Sequence, residues 1–527
     1  MAVETSATGA AIEGHQVHGQ DIPWLLRHWA DNRPEHPALV WEPGGGAEGR
    51  TWTYADLLTD THRVAAGLVA RGVGRGDKVL VHADNCPEMV IAWLACATVG
   101  AVAVTTNTRA TPSEIAYFAA QTGSTTAVTQ PKFTAAIAES GAEMRWVAVI
   151  GQDGADGDTF PFADLYGEAA DWTGRPIEPL LPFGIMFTSG TTSRPKGVVH
   201  THANAVWASR SGPRSIDLGA DDRYLIYLPF FHVNAQSWSF FSVLGVGATA
   251  VLMPKWSTSR FWDVVVRYGI THISLMPFAM GTLASPDRPE SKLRVGVFGQ
   301  VSAALDKMLG VKVYAAYGMT ETVIHAITGK PSEYLPAKSM GRPAPGYEFA
   351  IVDKDTGLPC AQGEPGELWL RGERGVQLFL EYYGNAEATE EAFDGDWFKT
   401  GDMVVLGEGG NVFYRERDKD LLKVGGENVS AREVEDVVAT VPGVGSVQVV
   451  GKSHDFLDEV VVAFVIPSPT APDEAELEKA ILELCRTRLS DFKVPRAVYF
   501  VDAFPLGTLD KVLKKNLREM ADARPAV

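Results

Sequence analysis

Cysteine is scarce in this sequence. Cys86, Cys96, Cys360 and Cys485 are the whole complement of 527 residues, and their spacing fits neither a disulfide framework nor a zinc site, which points to a reducing, cytoplasmic setting. Long apolar runs are missing as well. Met89 to Val104 and Trp238 to Met253 are the runs to weigh as membrane spans; each is shorter than a span and broken by glycine, so each reads as a buried helix followed by a buried strand. The opening residues, MAVETSATGAAIEGHQ, lack the basic and apolar regions of a secretory signal. Positive charge is in deficit: 47 Lys and Arg stand against 65 Asp and Glu, a formal net charge of -18. That balance argues against a nucleic-acid backbone or an anionic membrane as the main partner. An anionic small molecule then requires a locally positive pocket.

What is present is the composition of a soluble globular protein, 46% hydrophobic and 21% charged. Its length predicts two or more domains. Helix-like segments, Tyr54 to Ala70 and Pro87 to Ala97, alternate with β-branched runs, Lys78 to Val81 and Ala101 to Thr105. Such alternation predicts an α/β architecture with largely parallel sheets. GVGRGDK, Gly72 to Lys78, follows a helix and precedes a strand, the reverse of a dinucleotide fingerprint, and reads as a turn. From about Tyr347 the segments FAIVD, GELWLRG and NVFYRERD predict a β-rich portion. From Asp420 the pattern predicts strand, helix (Ala431 to Ala439), strands (Ser446 to Val450 and Glu459 to Ile466), helix (Glu474 to Leu489), strand (Ala497 to Phe500) and a last helix. A charged stretch at Arg417 to Asp420 suits a domain boundary.

One loop carries chemistry. After an apolar run comes FTSGTTSRPKG, Phe187 to Gly197, with hydroxyls on Thr188, Ser189, Thr191, Thr192 and Ser193, glycines at 190 and 197, and Lys196. Glycines admit the backbone to a phosphate while hydroxyls and an ammonium supply donors. The order is not that of a Walker A loop, because Lys196 follows proline and precedes glycine.

The loop resembles the phosphate signature of the adenylate-forming superfamily, which joins acyl-CoA synthetases, luciferases and the adenylation domains of peptide synthetases. AYGMTE (Ala316 to Glu321), FKTGD (Phe398 to Asp402), RDKDLLKVGGENVSAREVE (Arg417 to Glu435) and PLGTLDK (Pro505 to Lys511) follow in the order that superfamily shows. The resemblance spans about Trp24 to Leu517 and implies a large N-terminal domain of mostly parallel sheets with helices, residues 1–417, whose β-rich subdomain covers about 347–417. It implies a small mobile α+β C-terminal domain, 418–527, with its hinge at Lys419.

The same resemblance implies the site. Thr188, Ser189, Gly190, Thr191 and Thr192 would cradle phosphate with Lys196; Glu321 would hold Mg2+ with Thr320 on a phosphate beside it; Gly299, Tyr317, Gly318 and Met319 would contact the nucleotide. Asp402 would take the ribose hydroxyls, a bidentate task for a carboxylate, with Arg417 near it. Lys511 would bridge substrate carboxylate and α-phosphate. His232 matches a gate at the thiol site, Trp238 could line the acyl pocket, and Gly425 and Gly426 would face the pantetheine arm of coenzyme A.

The implied reaction joins a carboxylic acid to AMP from ATP, releasing pyrophosphate, then passes the acyl group to coenzyme A. Alternatives stand beside it: an adenylation-only enzyme that hands acyl-adenylate to a partner ligase, a catalytically silent nucleotide-binding relative, and a luciferase-like oxygenase. A homodimer also stays open. SRPKGVVHTH is similar to the carnitine and medium-chain ligase branch, and the absence of a conspicuous charged partner favours an apolar, bulky cyclic acid of terpenoid or steroid type. Departures from the pattern are Ser430 and Ala431 after GGEN, Gly507 and Asp510 before Lys511, and Gly299 with Ser302 in the adenine-side segment; they suggest that the thioester half is the more vulnerable.

Overall fold

A computed structural model describes residues 17–526 apart from 152, 155–156, 189–193, 286–287, 302, 331–334, 355, 418–420 and 506–511, with backbone only for 277, 278, 304, 416, 417 and 421. Local chemistry sets its elements. Helix Tyr54–Ala70 starts at a reciprocal cap, the Thr53 hydroxyl accepting from Asp56 N–H while the Asp56 carboxylate accepts from Thr53 N–H. Helix Pro87–Val99 is apolar on every side and buried on every side, and it stops at Gly100, whose φ of 86° suits glycine. The buried strand Val102–Thr105 follows at once. The second apolar run likewise turns from the helical stretch Asn234–Val246 into strand Thr249–Leu252. Among the described residues no helix is long and apolar enough to cross a membrane.

Two large sheets sandwich a helical layer. One runs in the order Thr159–Pro161, Trp146–Val149, Thr126–Thr129, Lys78–His82, Val102–Thr105, Pro182–Thr188 and Lys196–Thr201, parallel except for the last pair. The other has a parallel stretch, Lys312–Tyr317, Val295–Phe298, His272–Ser274, Arg223–Ile226, Thr249–Leu252 and Pro37–Trp41. Between them pack Tyr54–Ala70, against strands of the second sheet, and Pro87–Val99, against the first. Trp93 sits at the centre of this layer with the rings of Phe183, Phe230, Phe240 and Phe241 at 5.0–5.8 Å.

The β-rich portion expected from Tyr347 extends the second sheet rather than standing apart from it. Strands Ile327–Gly329 and Ser339–Pro343 turn the sheet antiparallel, and Val412–Arg417, Trp397–Leu406, Pro365–Arg371 and Glu348–Val352 continue it edge to edge. A third sheet carries the terminal module. Its start corrects the sequence reading: a hairpin of two strands, Leu421–Val424 and Glu427–Ser430, precedes helix Ala431–Val438, because Gly425 and Gly426 make a two-residue turn inside the run read as one strand. Strands Val444–His454, Asp458–Pro467 and Ala497–Phe500 complete it. Alternating residues serve two cores: Val447, Val449, Val461 and Val465 face helices Ala431–Val438 and Glu474–Arg488, while Val450, Val462 and Phe464 face helix Lys514–Asp522.

Candidate active site

The parallel strands of the second sheet end in a cavity of about 1550 Å³, the place where open α/β sheets collect ligands. Thr188, Lys196, His232, Trp238, Gly299, Tyr317, Gly318, Met319, Thr320, Glu321, Asp402, Gly425 and Gly426 all line it. Residues far apart in sequence are thus brought to one wall set. Ser189, Gly190, Thr191, Thr192, Ser302, Lys419, Gly507, Asp510 and Lys511 lie outside the described residues. Arg417 is placed by its backbone, directly opposite Asp402 in the pairing of Trp397–Leu406 with Val412–Arg417.

The loop of interest joins strands Pro182–Thr188 and Lys196–Thr201, whose register sets Thr188 opposite Lys196. The Lys196 ammonium stands 4.6 Å from the centroid of the Tyr382 ring, and the Tyr382 hydroxyl donates to Glu321 Oε1 at 2.9 Å. Tyr382, unmarked in the sequence reading, therefore ties the loop lysine to the acidic residue of AYGMTE. His200, four residues after Lys196, is fully buried, and its Nε2 bonds the Thr320 carbonyl at 2.7 Å. Burial pulls its pKa to about 4 against the lift from that carbonyl, so the ring is neutral and the nitrogen facing Thr320 carries the proton. Immediately after, Val323 adopts φ 65° with Ile324 N–H donating to Thr322 O at 2.6 Å, a three-residue turn rarely seen at a β-branched residue. Gly318 is required by space, since a Cβ there would meet Ile324 O at 2.7 Å; at Gly299 a Cβ would meet nothing.

Among the described residues no group of three His, Cys, Asp or Glu could hold a metal by itself. Glu321, one carboxylate next in sequence to the Thr320 hydroxyl, is a hard oxygen donor that would suit a Mg2+ ion in need of further ligands from outside the protein. Across the cavity the Asp402 carboxylate accepts from the Tyr317 hydroxyl at 2.5 Å and is 4% exposed.

The terminal module closes the other side. Gly425 and Gly426 have φ of 60° and 90°, the two positive angles that a tight hairpin turn requires, and a Cβ on Gly426 would reach Met276 Cε at 2.8 Å. Next to the turn, Glu427 meets His232 Nε2 at 3.2 Å. Burial works against both charges; Glu427 nevertheless leaves the His232 pKa raised, and His232 together with Arg109 and Asn107 leaves that of Glu427 lowered. Ser430 and Ala431, read as departures, fit their places: the Ser430 hydroxyl caps helix Ala431–Val438 by accepting from Glu433 N–H at 3.3 Å.

Comparison with known proteins decides the family. The family profile described as AMP-binding enzyme matches residues 26–383, and that of the AMP-binding enzyme C-terminal domain matches 433–511. The chain belongs to the AMP-binding enzymes. Within the family it is similar to crotonobetaine/carnitine–CoA ligase of Proteus mirabilis, 33% identical over 91% of this chain and 95% of that one, and to the Citrobacter koseri enzyme of that name, 32% identical over 95% and 99%. Among solved structures, a double mutant of o-succinylbenzoate CoA synthetase of Bacillus subtilis bound with its product analogue, OSB-NCoA, superposes with a TM-score of 0.83, 27% identity and coverage of 96% of this chain and 99% of that one. The same synthetase in complex with AMP gives 0.68 at 27% identity, covering 95% and 98%.

Proposed function

We propose how this AMP-binding enzyme divides an acid–thiol ligase reaction among its residues. The chain activates a carboxylic acid with ATP and forms a thioester with coenzyme A. One observation carries the assignment of residues: phosphate-loop lysine, acidic residue, ribose carboxylate and the Gly425–Gly426 turn line a single cavity. Attack of a carboxylate on the α-phosphate brings two anions together, so cationic and hydrogen-bonding groups must offset their repulsion and hold them in line. Thr188 and Lys196 bind the phosphates with the rest of their loop. Glu321 and Thr320 would hold Mg2+, which when bound offsets phosphate charge. Asp402, with Arg417 opposite, takes the ribose; Tyr317 and Gly318 pack at the base. Lys511, by its motif, serves the adenylation step, and Lys419 the hinge between 1–417 and 418–527.

The second step uses the opposite wall. The Gly425–Gly426 turn offers backbone without side chains to a narrow thiol arm, and His232 held by Glu427 stands at its inner end. The higher TM-score to the product-analogue complex than to the AMP complex supports reading this arrangement as the thiol-accepting one. Ser430 and Ala431 build a sound helix start there, which favours a complete ligase over an adenylation-only enzyme.

The acyl wall supports a neutral, largely apolar acid. Tyr227, Val233, Trp238, Val297 and Met319 line it, with the amide of Asn234, whose Oδ1 accepts from the Ser274 hydroxyl at 2.8 Å, as a polar mark for orientation. Of the cavity carboxylates, Glu321 and Asp402 accept from the hydroxyls of Tyr382 and Tyr317, and Glu427 pairs with His232. The test is pyrophosphate release from ATP across straight-chain, aromatic and bulky cyclic acids together with carnitine. Neutral apolar acids should lead; carnitine ahead of all of them would overturn the acid class, and no release with any would overturn the function.

A further inference from the structure

Outside the residues assigned above, a buried ionic cluster joins the terminal module to the large sheets. Lys493 is 5% exposed, and its Nζ contacts Glu433 Oε1 at 2.9 Å within its own module and Glu114 Oε1 at 2.5 Å across the junction. Glu114 belongs to helix Pro112–Thr122, and its second oxygen accepts from the Thr111 N–H at 2.8 Å and from the Ser490 hydroxyl, again across the junction, at 2.7 Å. Both carboxylates are nearly dry, Glu114 at 8% and Glu433 at 7% exposure. Two carboxylates therefore converge on one ammonium, and burial together with the neighbouring Glu114 pushes the Glu433 carboxyl up against the pull of Lys493. Beside it, Ser490, Phe492 and Lys493 line the same cavity as the Gly425–Gly426 turn.

We propose that Lys493 and Glu114 are positioning residues for the thiol step, a charge clamp that exists only when the terminal module presents the Gly425–Gly426 turn to the cavity. The sign of the effect follows from the geometry. Glu433 travels with Lys493, so that pair survives any rearrangement of the module; the Glu114 contact is lost with it. Without the lysine charge, docking would force Glu114 and Glu433 together in a dry site, whereas separation would let water solvate both. Removing the Glu114 charge as well would lift that repulsion. A lysine that merely stabilised its own module would gain nothing from a change in the other part of the chain, so the pair of variants separates the two roles.

This inference rests on the two-step reading, but its first measurement needs no acid. Distances between spin labels on the two parts of the full chain are recorded for the native protein, Lys493→Met, Glu114→Gln and Lys493→Met/Glu114→Gln, each with coenzyme A alone. Lys493→Met should lower the ratio of docked to separated molecules at least about tenfold, and the double variant should recover most of that loss. A second measurement uses the adenylate of the best acid from the panel above. Lys493→Met should slow its transfer to coenzyme A by about tenfold or more, with ATP-dependent pyrophosphate release within about twofold of native, and Glu114→Gln should restore the transfer. An unchanged distance distribution in Lys493→Met, a double variant no better than the single one, or equal loss in both half-reactions would overturn the clamp. A native chain that releases no pyrophosphate defeats the two-step reading instead, and the distances still decide the clamp.

Discussion

Tyr382 connects charged groups that the sequence marks separately, with the Lys196 ammonium over its ring and its hydroxyl on Glu321. Tyr382→Phe keeps the ring and removes the donor. A hydrogen bond to a charged group contributes ~1.5–3 kcal/mol, so pyrophosphate release should slow about tenfold to a hundredfold. Transfer from supplied acyl-adenylate should stay within about twofold; equal loss in both assays would contradict the assignment. Lys196, Glu321 and Asp402 were legible because their chemistry sits in short motifs of fixed spacing. Tyr382, Glu427 and Lys493 were not, since each meets its partner across 61, 195 and 379 residues of chain. Contacts at such separations leave no periodicity or local spacing to read. Glu427 alone had a signal, its place directly after the glycine pair.

The hairpin at Gly425–Gly426 shows what an element adds to a motif. Both residues have positive φ, so Gly425→Ala should cost ~1–2 kcal/mol by strain at the left-handed position and should impair transfer to coenzyme A more than pyrophosphate release. Thermal melting with both half-reaction rates checks this, and an unchanged melt with unchanged transfer would contradict it. Ser430→Ala removes a helix cap and should cost ~0.5–2 kcal/mol in the terminal module, seen as a lower melting temperature with both half-reactions intact. The helix Tyr54–Ala70 and strand Ala497–Phe500 were legible to the residue, because caps, periodicity and β-branched runs are local signals. Where pairing is non-local the sequence carries less: the hairpin reads as one strand, and the β-rich portion's continuity with the parallel sheet depends on strand Ser339–Pro343, which carries no mark in sequence of which edge it joins. The strained turn at Val323 was equally invisible, since a valine gives no cue to positive φ.

At the scale of the molecule, the two walls of the cavity come from different parts of the chain, and one contact between them titrates. Against burial, the His232 pKa is raised by Glu427, and that of Glu427 is lowered by His232 with help from Arg109 and Asn107. A raised histidine contributes fully below its ordinary value of 6.5 and loses its contribution as pH climbs through the raised one; the lowered carboxylate contributes above its ordinary 4.5 and loses it as pH falls through the lowered one. The ion pair between the walls is therefore intact in mildly acidic solution and weakens as pH rises above the ordinary imidazole range. The ratio of thiol transfer to pyrophosphate release should fall with rising pH in that window, and His232→Gln should flatten the fall; a ratio that keeps its pH dependence in that variant would contradict the pairing. The central claim is that this single chain carries both halves of the ligase reaction on one cavity. Its most direct measurement mixes purified chain, the best acid of the panel, ATP, Mg2+ and coenzyme A, quenches at intervals, and follows acyl-adenylate, AMP and acyl-CoA by mass spectrometry. The expected result is AMP and acyl-CoA rising together, one for one, with little adenylate in solution; acyl-adenylate accumulating while acyl-CoA stays absent would contradict it.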